Sequence, residues 1–202
     1  MNKMNYQSDW EEFAEIDPMW AILTDKNKKY NQWDNQEFFE TGKKEIKNFL
    51  INIKQLNIKT KFGTALDFGC GIGRLTRALS NYFKKVYGVD ISKKMISNAK
   101  DLHKKNKKVI FLQNISNNLS CFKDNEFDLV YTNIVLQHIP DKQIIKDYLS
   151  EFLRILKPNG LLFFQLPSVS EYTLTKSMLC KLRAFVYYLF IKLGFSKKFC
   201  FS

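Results

Sequence analysis

The sequence has few of the residues that build disulfides and metal centres. Its 202 residues include four cysteines, at positions 70, 121, 180 and 200, and two histidines. The cysteines have no paired spacing and form no C-x-x-C motif, and no histidine stands beside one at the spacing of metal ligands. We therefore expect reduced thiols, no metal site and a cytoplasmic location.

Long apolar runs are also absent. Residues 1–9 contain no hydrophobic segment of the kind that directs secretion, so we predict no signal peptide. The apolar run at residues 184–191 is far shorter than the about 20 residues that a membrane-spanning helix needs. We predict no transmembrane span, and a C-terminal helix that lies on a membrane surface is the alternative.

Negative charge is in the minority, since the formal net charge is +12. A basic chain attracts polyanions such as RNA, and lysines cluster at residues 26–29, 43–47 and 104–108. Arginines are few, however, and no basic groove with interleaved aromatic residues is visible. We therefore interpret the lysines as a solvated surface and treat nucleic acid as the less favoured partner.

Glycines number eight, and three of them fall in one turn. Residues 65–74 read Ala-Leu-Asp-Phe-Gly-Cys-Gly-Ile-Gly-Arg, which predicts an apolar strand, a glycine turn and the start of a helix. The glycines give G-x-G-x-G, whereas a dinucleotide fingerprint needs G-x-G-x-x-G, with its last glycine where Arg74 stands. The turn therefore suits a nucleoside better than NAD.

Two aspartates frame this turn. Asp67 precedes the glycines by two residues, where a carboxylate would repel a pyrophosphate but attract an ammonium and a sulfonium, as in S-adenosylmethionine. Asp90 ends the apolar segment 86–90 and can accept hydrogen bonds from both hydroxyls of a ribose. The segment 75–83 has the apolar spacing of one amphipathic helix. A structural turn with two solvated aspartates is the alternative to a ligand site.

Helices and strands continue to alternate after Asp90. We predict a helix over 93–106, strands over 109–112 and 127–131, a long helix whose apolar face runs over 144–156, a turn at 158–160 and a strand over 161–165. Such alternation predicts parallel strands with right-handed crossovers. Ligands then bind at the carboxyl ends of the strands, where the strand order reverses.

On these residues the chain resembles the class I, Rossmann-like, S-adenosylmethionine-dependent methyltransferases, especially small bacterial methyltransferase-domain proteins. The resemblance covers residues 10–167. The segments 66–76, 89–92, 127–140 and 156–165 are similar, in this order, to the family's glycine motif, its ribose-binding acidic motif, its fourth strand with the following loop and its fifth strand with the preceding turn. It implies an α/β fold with a doubly wound, mostly parallel sheet, and a methyltransferase that releases S-adenosylhomocysteine.

The resemblance also implies roles for individual residues. Asp67 would reach the methionine ammonium, directly or through water, and Asp90 would hold the ribose. Ile91 and Met95 would flank the adenine, whose edge meets amides and a hydroxyl in the segment 113–118, where many relatives have an acidic residue. The implied cofactor-binding residues are Asp67, Gly69, Cys70, Gly71, Gly73, Arg74, Asp90, Ile91, Met95, Asn114, Ile115, Thr132 and Gln137.

His138, in the loop after the fourth predicted strand, is the candidate general base, because an imidazole titrates near neutral pH. Its alternative role is to orient the loop, where Thr132, Asn133 and Gln137 are further candidate contacts. The chain lacks the Asn/Asp-Pro-Pro-aromatic motif of amine and nucleobase methylases. We therefore expect an oxygen of a small molecule or saccharide as the acceptor. A catalytically inactive or truncated cofactor-binding protein and an RNA methyltransferase are the alternatives, and the oligomeric state stays open.

The composition fits a single structural domain, since 45% apolar residues in a chain of this length supply one sizeable core. Within it we expect a helical N-terminal lid over residues 1–60, a cofactor-binding core over 61–167 and an apolar helix over 168–202. The family resembled ordinarily ends with two more strands. We expect these to be shortened or missing, which would leave the fifth strand as an exposed sheet edge.

Overall fold

The computed structural model describes residues 6–166 and 187–190. The helices are α1 (Tyr6–Ile16), α2 (Pro18–Ile22), α3 (Asn35–Gln55), α4 (Arg74–Leu79), α5 (Lys93–His103) and α6 (Lys142–Ile155), with a 3-10 turn at Leu136–His138. The strands are β1 (Thr64–Phe68), β2 (Lys85–Asp90), β3 (Val109–Gln113), β4 (Phe127–Thr132), β5 (Leu156–Gln165) and β6 (Tyr187–Phe190). Within the described segments, the helices are too short or too polar to cross a bilayer.

The strands form one sheet in the order β3-β2-β1-β4-β5-β6. The first five strands are parallel, and β6 runs antiparallel to β5. The predicted α/β fold with a mostly parallel sheet is therefore confirmed. The strand order reverses at β1, which pairs with β2 on one side and β4 on the other. A ligand crevice is expected at this switch point, at the carboxyl ends of the strands.

Helices cover both faces of the sheet. Successive side chains of a strand point to opposite faces, so Ala65 of β1 packs in one core cluster and Leu66 in another. α3 and α4 share the first cluster with β4 and β5, and α6 contributes to the second. α3, which the sequence analysis places in the lid segment, thus packs as a core helix. Only α1 and α2 remain as candidates for a lid.

Three elements differ from the predicted ones or match them only in part. α4 ends at Leu79, four residues before the end of the apolar pattern, and the chain closes with turn hydrogen bonds from Tyr82 and Phe83 to the Leu79 carbonyl. β5 begins at Leu156 and so includes the predicted turn at 158–160. Its pairing with β4 is irregular at this point. The predicted helical lid matches in part, because it is divided into α1, α2 and α3, and the Asp17 side chain caps α2.

The C-terminal segment differs from the predicted helix. Residues 187–190 form β6, where the sequence analysis predicts the middle of a helix. Their Tyr-Tyr-Leu-Phe sequence has high strand propensity, and the open edge of β5 supplies unpaired backbone donors and acceptors. β6 therefore covers β5 from Leu162 to Gln165, where an exposed sheet edge was predicted. The rest of the predicted helix, and its suggested membrane contact, lies outside the described residues.

Candidate functional site

A pocket lies at the carboxyl ends of β1, β2 and β4, at the switch point of the sheet. It encloses about 990 Å³ of space, including the part open to solvent. The glycine turn, both predicted aspartates and the loop after β4 contribute to its wall. α1 and α2 close it from the N-terminal side through Trp10, Ala21 and Ile22.

Asp67 lies at the inner end of the pocket, one residue before the end of β1. Its side chain is buried, and its Oδ2 accepts a hydrogen bond of 2.6 Å from Thr76 Oγ1. Burial raises the pKa of Asp67 to about 7, although the Thr76 hydrogen bond and the nearby Arg74 charge favour the ionised form. A cationic group bound beside Asp67 would complete that ionisation.

The glycine turn presents bare backbone to the pocket. Gly69 and Gly71 have φ values of +75° and +52°, in the left-handed region that disfavours side chains. A Cβ at Gly69 would lie 2.3 Å from Val135 Cγ2, and one at Gly71 would lie 2.4 Å from Ile22 Cδ1. Both positions therefore require glycine, because a side chain would strain the backbone and clash with Val135 or Ile22.

Asp90 faces the same turn from the end of β2. Its Oδ2 accepts a hydrogen bond of 2.8 Å from the Gly71 backbone N–H, and its Oδ1 accepts one of 2.9 Å from Ser92 N–H. Burial raises the pKa of Asp90, and these backbone hydrogen bonds work against that shift. A carboxylate has about four lone-pair sites, so each oxygen keeps a site for a further donor such as a hydroxyl.

α1 is fastened to the pocket wall by Glu11, which the sequence analysis did not single out. Glu11 Oε1 accepts from Lys93 N–H at 2.7 Å, and Oε2 accepts from Lys94 N–H and Ser92 Oγ, both at 2.9 Å. Burial raises the pKa of Glu11, but these hydrogen bonds outweigh it and leave the pKa lowered. A carboxylate at a helix N-terminus is a favourable cap for α5.

His138 lies at the end of the 3-10 turn after β4 and lines the pocket. Its ring meets Trp10 edge to face, with 5.4 Å between the ring centroids. Burial lowers the pKa of His138, so its imidazole is neutral at pH 7. Gln137 is exposed and does not line the pocket, although its Nε2 lies 3.4 Å from His138 Nε2.

Eleven of the predicted site residues line this pocket: Asp67, Gly69, Cys70, Gly71, Arg74, Asp90, Ile91, Met95, Asn114, Asn133 and His138. Burial and the carboxylates of Asp90 and Asp67 raise the pKa of the Cys70 thiol, which agrees with a packing role. The Asn114 amide is already engaged, because its nitrogen donates to the Ser116 and Asn118 carbonyls.

Four predicted residues, Gly73, Ile115, Thr132 and Gln137, are not part of the lining. Gly73 packs beside His103, where a Cβ would lie 2.8 Å from the ring nitrogen. The Ile115 side chain is 68% exposed, and Thr132 is buried at the end of β4. The segments that carry these four residues reach the site, but the residues themselves do not line it.

Sequence reasoning missed most of the apolar lining. The unpredicted residues are Trp10, Ala21, Ile22, Phe68, Leu75, Val89, Ile134, Val135, Ile139 and Tyr148. Phe68, Leu75, Val89, Ile134, Val135 and Ile139 lie within the motif segments, so their positions carried a signal. The predicted N-terminal lid covers Trp10, Ala21 and Ile22 without identifying them one by one, and the contribution of Tyr148 depends on how α6 packs on the sheet.

Known proteins match this chain over a range that contains most of the residues lining the pocket. Residues 66–164 match a family model described as a methyltransferase domain. The chain is 30% identical over 164 residues to the ubiquinone biosynthesis O-methyltransferase of Pelagibacter ubique, which covers 81% of this chain and 65% of that protein. It is 36% identical over 100 residues to the 2-methyl-6-phytyl-1,4-hydroquinone methyltransferase of Synechocystis, which covers 49% of this chain and 30% of that protein.

A solved structure shares the fold. The S-adenosylmethionine-dependent methyltransferase of Clostridium acetobutylicum is 28% identical and superposes with a TM-score of 0.55, covering 62% of this chain and 50% of that one. The chain therefore spans less than two thirds of the length of each of these three proteins.

Proposed function

Because the chain belongs to the class I S-adenosylmethionine-dependent methyltransferases, we propose that it binds S-adenosylmethionine in this pocket and transfers the methyl group to an oxygen of a small molecule or saccharide. The observation that carries the proposal is the meeting of Asp67, Asp90 and a side-chain-free glycine backbone in one pocket. The structural alternative predicts two solvated aspartates, whereas Asp67 is buried and Asp90 is half-buried in the pocket wall.

The donor set fits the proposed cofactor. Asp67 would accept from the methionine ammonium, and the free lone pairs of Asp90 would accept from the ribose hydroxyls. Ile91 and Met95 offer apolar surface to the adenine. When bound, S-adenosylmethionine supplies an electrophilic methyl group on a positively charged sulfur.

The residues around the acceptor side would align the nucleophile and exclude water, which is most of what methyl transfer asks of a protein. Trp10, Ile134 and Ile139 give this part of the wall an apolar surface. His138 would take the acceptor's hydroxyl proton on a ring nitrogen, since burial lowers its pKa and keeps the imidazole neutral at pH 7.

One relative supports an oxygen acceptor, because the protein from Pelagibacter ubique is named an O-methyltransferase. The lysine cluster at 104–108 precedes β3 and so lies at the amino ends of the parallel strands, opposite the pocket. This cluster therefore does not favour RNA as the acceptor. The cytoplasmic location stays a prediction from the unpaired cysteines.

Isothermal titration with S-adenosylmethionine, S-adenosylhomocysteine and NAD tests the proposal. We expect both sulfur nucleosides to bind and NAD to be silent. Preferential binding of NAD would refute the proposal. A second step incubates the protein with radiolabelled cofactor and a panel of phenols, sugars and RNA. Tight cofactor binding without transfer to any of them would favour the catalytically inactive alternative.

A further inference from the structure

Two buried polar atoms in the pocket wall, Arg74 Nε and Asn133 Oδ1, have no hydrogen-bond partner within residues 6–166 and 187–190. Both residues line the pocket, and the Arg74 side chain is 6% exposed. Nearly all buried polar atoms in folded proteins are hydrogen-bonded. Unpaired atoms in the wall of a pocket therefore indicate a ligand that would pair with them.

The chemistry of these atoms specifies the ligand group. Arg74 Nε is a charged donor, and a carboxylate is its strongest acceptor. Asn133 Oδ1 is an acceptor, and Asp67 adds a carboxylate in the same pocket, so an ammonium would be held by both. One cationic donor beside two acceptors is complementary to the carboxylate and ammonium of an α-amino acid. S-adenosylmethionine carries that group, and 5′-methylthioadenosine lacks it.

Glu45 of α3 connects the two side chains without lining the pocket itself. Its Oε2 accepts from Arg74 Nη2 at 2.9 Å. Its Oε1 accepts from Asn133 Nδ2 at 2.7 Å and from the Tyr131 hydroxyl at 3.0 Å. One carboxylate therefore fixes the orientation of both groups that have an atom left for a ligand.

Close packing of α3 on α4 allows this arrangement. A Cβ at Gly42 would lie 2.5 Å from the Arg74 carbonyl oxygen, so the glycine lets the two helices approach. Glu45 lies three residues later, on the same face of α3. Arg74 Nη1 also donates to Thr41 Oγ1 at 3.3 Å. Both terminal nitrogens thus have a partner on α3, and Nε is the guanidinium nitrogen without one in the described residues.

We propose that Glu45 is a positioning residue for the α-amino-acid end of the ligand. It holds Arg74 so that Nε donates to the ligand carboxylate, and it holds Asn133 so that Oδ1 accepts from the ligand ammonium. This assignment rests on the proposed binding of S-adenosylmethionine in the pocket. It places a determinant of ligand affinity on α3, outside the glycine turn and the ribose motif.

The test compares two ligands that share the nucleoside and the sulfur. Dissociation constants for S-adenosylhomocysteine and 5′-methylthioadenosine are measured by titration calorimetry on the wild type, Glu45→Gln and Asn133→Ala. Glu40→Gln is the matched control, because Glu40 also lies on α3 but its side chain is 45% exposed and pairs with Lys43. We expect both test variants to bind S-adenosylhomocysteine about tenfold more weakly, a change of about 1.4 kcal/mol. Binding of 5′-methylthioadenosine should change less than about twofold in every variant.

The outcomes separate this proposal from the one on which it rests. Equal weakening of both ligands would mean that Glu45 is merely structural and would overturn the proposal, as would unchanged binding of both. If Glu45→Gln is poorly folded, Asn133→Ala tests the ammonium contact that Glu45 is proposed to orient, because it leaves the Glu45 to Arg74 ion pair intact. Equal effects of Asn133→Ala on both ligands would again overturn the proposal. A wild type that binds neither ligand would overturn the proposed function itself.

Discussion

Asp67→Asn should stabilise the ligand-free protein at alkaline pH while it abolishes cofactor binding. The carboxyl ionises near pH 3.8 in the unfolded chain and at about pH 7 in the folded one, because it is buried. Between these values the folded state keeps a proton that the unfolded state has lost, so the free energy of unfolding falls as the pH rises. The loss is complete above about pH 7 and is absent below pH 3.8.

The magnitude follows from the separation of the two pKa values. At 1.36 kcal/mol per pKa unit the full effect is about 4 kcal/mol. Between pH 5 and pH 8 it amounts to about 2.5 kcal/mol, because part of the loss has occurred by pH 5. Asparagine keeps an oxygen that accepts from Thr76 but does not ionise. The difference in the free energy of unfolding between Asp67→Asn and the wild type should therefore grow by this amount between pH 5 and pH 8.

Urea unfolding at pH 5, 6, 7 and 8, followed by circular dichroism, measures that difference directly. Asp101→Asn is the control, because Asp101 is exposed on α5 and should show no such trend. A difference between Asp67→Asn and wild type that stays constant over this range would refute the reasoning, since it would mean that Asp67 ionises normally. Titration calorimetry at pH 8 supplies the functional arm, in which Asp67→Asn should lose S-adenosylmethionine binding despite its higher stability.

Three further predictions concern the turn, the lid and the base. Gly69→Ala should lower the free energy of unfolding by about 2 kcal/mol or more, because the new Cβ meets Val135 and the φ of +75° is strained; an unchanged urea midpoint would contradict this. Glu11→Ala should lower the free energy of unfolding by about 1–2 kcal/mol, as loss of a helix cap does, and should speed amide exchange at the start of α5. Glu12→Ala, at an exposed position of the same helix, should change neither quantity. His138→Gln should lower kcat about 100-fold with any acceptor found by screening and leave the dissociation constant of S-adenosylmethionine nearly unchanged; an unaltered kcat would assign His138 to loop orientation.

The part of the site that follows from the sequence is the part encoded locally. An apolar strand, a glycine turn and an aspartate on either side lie within about 25 residues, and strand geometry alone brings Asp67 and Asp90 to one edge. The alternation of strands and helices likewise predicts the parallel sheet. These elements lie in the structure as the pattern predicts, apart from shifts of a few residues at their ends.

The contacts that were not predicted join distant parts of the chain. Glu11 meets Ser92 across 81 residues, and Glu45 meets Asn133 across 88. Such pairs depend on how whole helices pack on the sheet, which no local spacing encodes. The prediction for the apolar run that forms β6 was wrong for a different reason. Short apolar segments fit a helix or a strand equally well, and the partner edge that decides between them lies elsewhere in the sequence.

The pocket collects features that each destabilise the ligand-free protein. Asp67 is buried with a raised pKa, Arg74 Nε and Asn133 Oδ1 are unpaired within the described residues, and Gly69 holds a left-handed backbone. A fold needs none of these, and elsewhere in the sheet the same strands are filled with apolar side chains. Costs of this kind concentrate at functional sites, where a ligand offsets them. Ligand binding should therefore raise the stability of this protein by pairing the same atoms that now weaken it, which ties its stability to its proposed chemistry through one set of residues.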